Sequence, residues 1–240
     1  MSAPLLPRDW TRQPPARTPA YKTTALRAPG QPLVALASGP TELTGPVFGP
    51  ADLSPSDADL LTNFARPGGA PIGERIVVHG RVRDEQGRPL AGALVEIWQA
   101  NAGGRYRHRA DGYLAPLDPD FGGTGRALTD AEGRYAFRTV RPGPYPWPNS
   151  ANSWRPAHIH FSLFGESWGQ RLITQMYFEG DPLIPLCPIY GTIPDGEAAA
   201  RLIASLDMEA AAPFDHLAWR FDVTLRGRFQ TPFESRPEGL

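Results

Sequence analysis

The residues best suited to chemistry lie close together, in the segment GPYPWPNSANSWRPAHIHF from Gly143 to Phe161. His158 and His160 are two positions apart. On an extended strand such side chains leave the same face about 6.6 Å apart, so both imidazoles can converge on one ion while Ile159 turns into the opposite layer. A histidine pair on a strand is an ordinary feature of β proteins unless other stretches supply further ligands. No HExxH or His-x-Asp arrangement is present, and His79, His108 and His216 stand in unrelated contexts, which makes zinc a poor fit. Tyrosine is the remaining donor type. Tyr145 sits in a Gly-Pro-Tyr-Pro frame whose prolines stiffen the backbone on both sides. Tyr106 follows Gly103-Gly104-Arg105 in a long irregular stretch that can reach the same point. With a pKa near 10, ionising a phenol at neutral pH costs about 4 kcal/mol. A directly bound trivalent cation offsets that cost. Two phenolates and two neutral imidazoles form a hard, anionic set suited to ferric iron.

Other residues read either way. Arg155, followed by Pro156, is a solvated arginine or a permanent cation beside the metal that stabilises negative charge on a substrate. Gln175, in the next apolar strand, orients the same species or is a surface amide. Tyr113, Tyr135 and Tyr177 read as packing residues, Trp98, Trp147 and Trp154 as core or pocket wall, and Cys187 as a small buried hydrophobe.

Holding such groups in place requires a stiff scaffold, and the pattern supplies strands. Residues 76–82 and 93–98 are apolar runs around the turn at 84–87, residues 129–137 are a turn followed by an alternating strand, and residues 172–178 and 217–225 are β-rich. Residues 101–128 read as a long irregular excursion. A helix is predicted from Ser54, where Ser-Pro-Ser-Asp resembles a capped start, through Leu60, Leu61 and Phe64 to Pro67-Gly68-Gly69. A second is predicted over 197–206. Many strands without βαβ alternation predict a mainly β fold, a β-sandwich with short helices and an extended N-terminal arm. The expected division is an arm and short helix over 1–72, serving oligomer contacts and part of the pocket, and a catalytic sandwich over 73–240.

The totals narrow the function. The 240 residues carry 24 Lys plus Arg against 25 Asp plus Glu, so nothing in the balance suits nucleic acid or an anionic membrane. One cysteine excludes an internal disulfide framework and fits a reducing compartment. The N-terminus shows no apolar signal-type region, and no run approaches the roughly 20 apolar residues of a membrane span. A cytoplasmic location is expected.

Val78-His79-Gly80-Arg81-Val82, Gly87, Leu90 and Val95-Glu96-Ile97, ending in Gly104-Arg105-Tyr106, match a signature that resembles the intradiol ring-cleavage dioxygenases. Residues 21–23, 103–108, 143–147, 154–160 and 177–182 are similar to the iron-bearing beta chains of that family, which cleave protocatechuate. The resemblance implies non-haem Fe(III) held by Tyr106, Tyr145, His158, His160 and a hydroxide. It implies that a catechol displaces the hydroxide and Tyr145, which take up its two protons. By the same resemblance O2 then opens the ring to 3-carboxy-cis,cis-muconate, with Arg155 and Gln175 stabilising the developing charge. It further implies that Tyr21 binds the substrate carboxylate, that Trp147 and Ile189 line the pocket, and that a homologous alpha subunit completes a hetero-oligomer. Residues 80–93 and 129–135 also resemble non-catalytic transthyretin-like and adhesin modules. Such modules have no use for Tyr145, His158 and His160 together. An intradiol enzyme for catechol or hydroxyquinol is the nearer rival.

Overall fold

From Arg75 onward, β-branched and aromatic residues recur at the spacing of a pleated strand, and each run becomes one. In the computed structural model, which describes residues 9–29, 31, 50–54, 56–167 and 170–232, these are β1 (Arg75–Arg83), β2 (Leu94–Gln99), β3 (Thr124–Leu128), β4 (Arg134–Val140), β5 (Tyr145–Pro146), β6 (Trp154–Arg155), β7 (His158–Phe164), β8 (Arg171–Phe178), β9 (Ile203–Leu206), β10 (Leu217–Arg220) and β11 (Val223–Thr224). β3, β2, β7 and β8 are neighbours in that order, and β9 and β10 carry the same sheet on to β1, which also pairs with β4 and β11. β5 and β6 form a separate short hairpin.

The sheet doubles back on itself as the expected sandwich. Ile76, Val78, Phe137, Trp219 and Phe221 of one half share a core with Val95, Ile97, Ile159, Phe161 and Met176 of the other. Rings meet across the interface, Phe161 lying 5.0 Å from Phe221 and 5.9 Å from Tyr135 between centroids. Ile159, Phe161 and Leu163 on β7 are fully buried, each worth about 1.5–3 kcal/mol of hydrophobic stabilisation. That burial fixes the register of β7, because a one-residue slip would turn all three outward. The same alternation sends His158 and His160 to the outer face. Where β1 passes residue 221, only glycine fits, since a Cβ on Gly80 would lie 1.9 Å from the Phe221 carbonyl oxygen.

Two predicted helices are corrected. Residues 56–58 and 60–62 form turns and Asp59 bridges to Arg138, so among the described residues no helix runs from Ser54 to Gly69. The Ser54 N–H does donate to Asp57 Oδ2, at 3.3 Å. But β3 and β4 are sheet edges, and they draw this backbone into pairing: Arg126 N donates to Asp57 O, Arg138 N to Ala58 O, and Leu60 N to Arg138 O, at 3.0, 3.0 and 2.8 Å. Arg126 and Arg138 add side-chain bonds to Asp57 and Asp59 at 2.7 and 2.9 Å. The helix predicted over 197–206 stops early. α2 (Gly196–Ala200) is capped by Asp195, and the chain then turns into β9, where the carbonyls of Leu202 and Ala204 accept from Tyr177 and Glu179. The irregular excursion also ends sooner than predicted, at Thr124, because β3 pairs with β2 over five positions.

Residues 9–29 of the arm carry a 3-10 turn (Trp10–Arg12) and α1 (Thr24–Arg27). They are pinned to the sandwich. Arg12 lies 3.0 Å from Asp195. Asn149 accepts from Lys22 N at 3.0 Å and donates to Ala20 O at 2.7 Å. Other parts of the predicted arm, residues 1–8 and 32–49, lie outside the described residues.

Leu60, with no exposed surface, plugs the seam between the two edges. Leu60→Ala is expected to destabilise the protein by about 2–5 kcal/mol in urea unfolding. A loss under about 1 kcal/mol, the scale of a surface substitution, would contradict that role.

Candidate metal centre

The outer face of β7 positions the first two donors. His158 and His160 project from the same side, with ring centroids 5.0 Å apart. Their cross-strand neighbours are Trp98 on β2, opposite His160, and Gln175 and Tyr177 on β8, opposite His160 and His158. Trp98 stacks flat on His160 at 4.7 Å and 3°. His158 Nδ1 lies 2.7 Å from the Pro156 carbonyl, which can only accept, so this nitrogen carries the proton and Nε2 keeps its lone pair.

The two tyrosines arrive on loops pressed together by glycine. Gly104 has φ +81°, and a Cβ there would lie 2.4 Å from the Pro144 carbonyl oxygen. A Cβ on Gly143 would lie 2.3 Å from the Ala102 carbonyl oxygen. With neither present, the turn before Tyr106 and the proline frame of Tyr145 pack backbone to backbone. Asn101 closes the turn by accepting from Gly103 N and Arg105 N, both at 2.9 Å. Asp111 holds the Tyr106 backbone N–H at 2.8 Å.

Four donor atoms thereby meet. Tyr106 Oη lies 3.3 Å from His158 Nε2 and 3.2 Å from His160 Nε2, and Tyr145 Oη lies 3.5 Å from His158 Nε2. Donors each about 2 Å from a shared ion sit roughly 2.8–3.3 Å apart, so the donor set fits one metal with little adjustment. The electrostatics agree. Burial, then the charge of Arg155, pushes His160 down to about 3, and the same causes with His160 push His158 well below its usual value. Both imidazoles are neutral. Burial pushes the Tyr106 phenol well above its ordinary value, with Tyr145 adding to the effect, and burial raises Tyr145 as well. Neither ionises at neutral pH without a strong cation. Among the described residues no group of three or more His, Cys, Asp or Glu can hold a metal. Two phenols and two imidazoles are donor types that could together hold one hard cation.

Arg155 is buried beside this set. It donates to Gln175 Oε1 and, at 3.4 Å, to the Tyr177 hydroxyl, which donates to Gln175 Oε1 at 3.1 Å. Trp147 lies under the guanidinium at 5.7 Å. No carboxylate among the described residues pairs with Arg155, and its Nε has no hydrogen-bond partner there. A groove of about 1090 Å³ opens over the donors, walled by Trp98, Tyr106, Tyr145, Trp147, Trp154 and His160. Tyr21 stands behind Trp147, edge-on at 5.2 Å. Ile189 shares the Tyr21 apolar cluster but lines a smaller neighbouring cavity and not the groove. A cleft of about 1020 Å³ elsewhere, beside His79, has Arg126, Arg134 and Arg220 along it, paired with Asp57, Glu132 and Asp222, and no such donor set.

Sequence reasoning missed Tyr177, which packs in the core as expected and also joins the Arg155–Gln175 network. Its place in the alternation, two residues after Gln175, was the available signal. The Asn149 clasp on the arm carried no signal, because it joins residues about 130 positions apart.

Comparison with known proteins agrees with this chemistry. A family profile described as Dioxygenase matches residues 43–227, and one described as protocatechuate 3,4-dioxygenase beta subunit N terminal matches residues 6–38. The chain is 50% identical over 230 residues to the protocatechuate 3,4-dioxygenase beta chain of Burkholderia cepacia, covering 96% of this chain and 97% of that one. It is 34% identical over 131 residues to a chlorocatechol 1,2-dioxygenase of Pseudomonas sp. (strain P51), with 50% of each chain covered. The crystal structure of 3-chlorocatechol 1,2-dioxygenase from Rhodococcus opacus 1CP superposes with a TM-score of 0.52 at 30% identity, over 75% of this chain and 68% of that one. With half its residues shared with a beta chain along nearly the whole length, this chain belongs to the intradiol ring-cleavage dioxygenases, among the protocatechuate 3,4-dioxygenase beta chains.

Proposed function

We propose that the chain is the iron-bearing subunit of an enzyme that cleaves protocatechuate (3,4-dihydroxybenzoate) between its two hydroxylated carbons. Both atoms of O2 enter the product, 3-carboxy-cis,cis-muconate. The observation that carries this reading is the meeting of two phenols and two neutral imidazoles beside an unbalanced guanidinium. Tyr106, Tyr145, His158 and His160 would hold Fe(III), which when bound supplies a Lewis acid that takes both catechol oxygens and draws electron density from the ring.

The remaining roles belong to the chain. Tyr145 would be one of the residues holding the metal, and its Oη is the base placed to take up one catechol proton. Burial favours the neutral phenol there, so the proton stays once transferred. Arg155 stabilises negative charge developing on the ring and on oxygen, with its fork held by Gln175 and Tyr177. The unbalanced Arg155 charge also favours a ring that carries a carboxylate. Tyr21, behind Trp147, donates to that carboxylate, and Trp147 supplies the apolar wall of the groove, with Ile189 on the adjoining cavity. A homologous alpha subunit pairs with this chain, as the name of the Burkholderia relative implies of that protein, and the arm of residues 1–72 serves the contact. The fold neither has a helix among the described residues able to cross a membrane nor needs one, and we place the enzyme in the cytoplasm.

The first test is oxygen uptake with protocatechuate and then with catechol, with and without a coexpressed alpha chain. Uptake with protocatechuate at the higher kcat/KM is expected, and a preference for catechol would overturn the substrate assignment. Tyr145→Phe should lower kcat by about a hundredfold or more, the scale of lost proton transfer. His160→Ala should lose iron together with the visible colour of phenolate-to-iron charge transfer. Wild-type turnover in either variant would remove that residue from its role. The acid–base states also fix a pH dependence. The imidazoles bind already neutral, whereas each phenol must release a proton. Apparent affinity for ferric ion should therefore rise about a hundredfold per pH unit from the two tyrosines, more if hydroxide also binds, in chelator competition between pH 6 and 8. A pH-independent affinity would exclude tyrosinate ligation.

A further inference from the structure

One residue of the hairpin that carries the site turns away from it. β5 and β6 bring Tyr145 and Arg155 opposite each other, and the Trp147 N–H closes the turn between them by donating to the Ser153 carbonyl at 2.8 Å. Pro148 and Ser150 in that turn are exposed and line the groove. Asn149 between them does neither: it is 4% exposed, and its side chain faces the arm. Its Oδ1 accepts from the Lys22 backbone N–H at 3.0 Å, and its Nδ2 donates to the Ala20 carbonyl at 2.7 Å. Each partner can play only one role, so the orientation of the amide is fixed.

The two bonds go to the peptide groups on either side of Tyr21. At that one position the side-chain amide does what a neighbouring strand would do. Bonds within the arm hold the Tyr21 backbone as well: its N–H donates to the Thr18 carbonyl at 3.0 Å, and its carbonyl accepts from Thr24 N at 3.0 Å and Thr24 Oγ1 at 2.7 Å. The Tyr21 ring then lies edge-on to Trp147 at 5.2 Å, and Trp147 lies under the Arg155 guanidinium at 5.7 Å. The Asn149 N–H returns to the Trp147 carbonyl at 2.8 Å. A single buried amide therefore ties the arm, the groove wall and the buried cation into one unit. The Arg12–Asp195 ion pair fastens the arm to the cap of α2 and not to this hairpin.

We propose that Asn149 is a positioning residue for substrate choice: by gripping the peptide groups around Tyr21, it holds the arm where the Tyr21 hydroxyl meets a carboxylate borne by the ring. The inference rests on the protocatechuate reading given above. A catechol without a carboxylate makes no use of Tyr21, so the clasp discriminates between the two rings while touching neither. Alanine at this position removes both bonds. Aspartate keeps the acceptor for the Lys22 N–H but sets a carboxylate oxygen against the Ala20 carbonyl, so it breaks one bond at nearly unchanged volume.

Anaerobic ligand titration of the iron-loaded, full-length protein in its native assembly tests this role. Asn149→Ala should weaken protocatechuate binding about tenfold or more, the scale of a lost hydrogen bond to a charged group, while Kd for catechol stays within about twofold. Asn149→Asp should show the same selectivity. On a Tyr21→Phe background, Asn149→Ala should add less than about twofold, because both changes act through one hydroxyl. Equal losses for the two ligands, no loss for protocatechuate, or full additivity with Tyr21→Phe would each overturn the proposal. If neither Asn149 variant folds, hydrogen exchange in the unaltered protein decides: a protected Lys22 amide upholds the clasp, and one that exchanges as freely as an unstructured amide overturns it. Binding needs no turnover, so a protein that shows this selectivity but consumes no oxygen with protocatechuate would refute the proposed reaction and not the role of Asn149.

Discussion

A permanent positive charge sits where almost no water reaches it. Arg155 is 4% exposed and has no carboxylate partner among the described residues, an arrangement that costs several kcal/mol unless something anionic is nearby. Among the described residues the side chains beside it that can become anionic are the phenols of Tyr106, Tyr145 and Tyr177 and the Cys187 thiol, and burial holds the phenols neutral on their own. On the proposed reading a bound cation would let the phenols ionise, and an anionic ligand would balance the arginine. The proline frame of Tyr145, the Pro156 clamp on His158 and the Gln175–Tyr177 cradle all keep this set aligned before any ligand arrives.

Much of this was legible in the sequence because it is local. Strand alternation gives the face of His158 and His160, and the apolar residues between them explain why the strand cannot slip. The proline frame announces Tyr145 without any knowledge of the fold. The position of Tyr106 is different. Its loop reaches the centre because Gly104 and Gly143 allow two backbones into contact, and a contact between residues about 40 apart has no periodic signature.

The two helix misses have one cause. At residues 54–66 the local capping signal was real, and Asp57 does accept from the Ser54 N–H. But the open hydrogen-bonding groups of β3 and β4 offered stronger long-range partners, and tertiary pairing overrode local preference. The same competition shortened α2 to Gly196–Ala200 and gave residues 203–206 to β9. Tyr177 illustrates a limit of another sort. A buried tyrosine in an apolar strand reads alike whether its hydroxyl is idle or clasps an arginine.

The strip at residues 57–60 has a consequence beyond packing. Unpaired sheet margins invite strand addition from other copies of a chain, the route by which β proteins aggregate. By bonding to both margins at once, these residues occupy edge groups that strand addition would otherwise use. The covering segment precedes in the chain both of the strands it covers, β3 and β4.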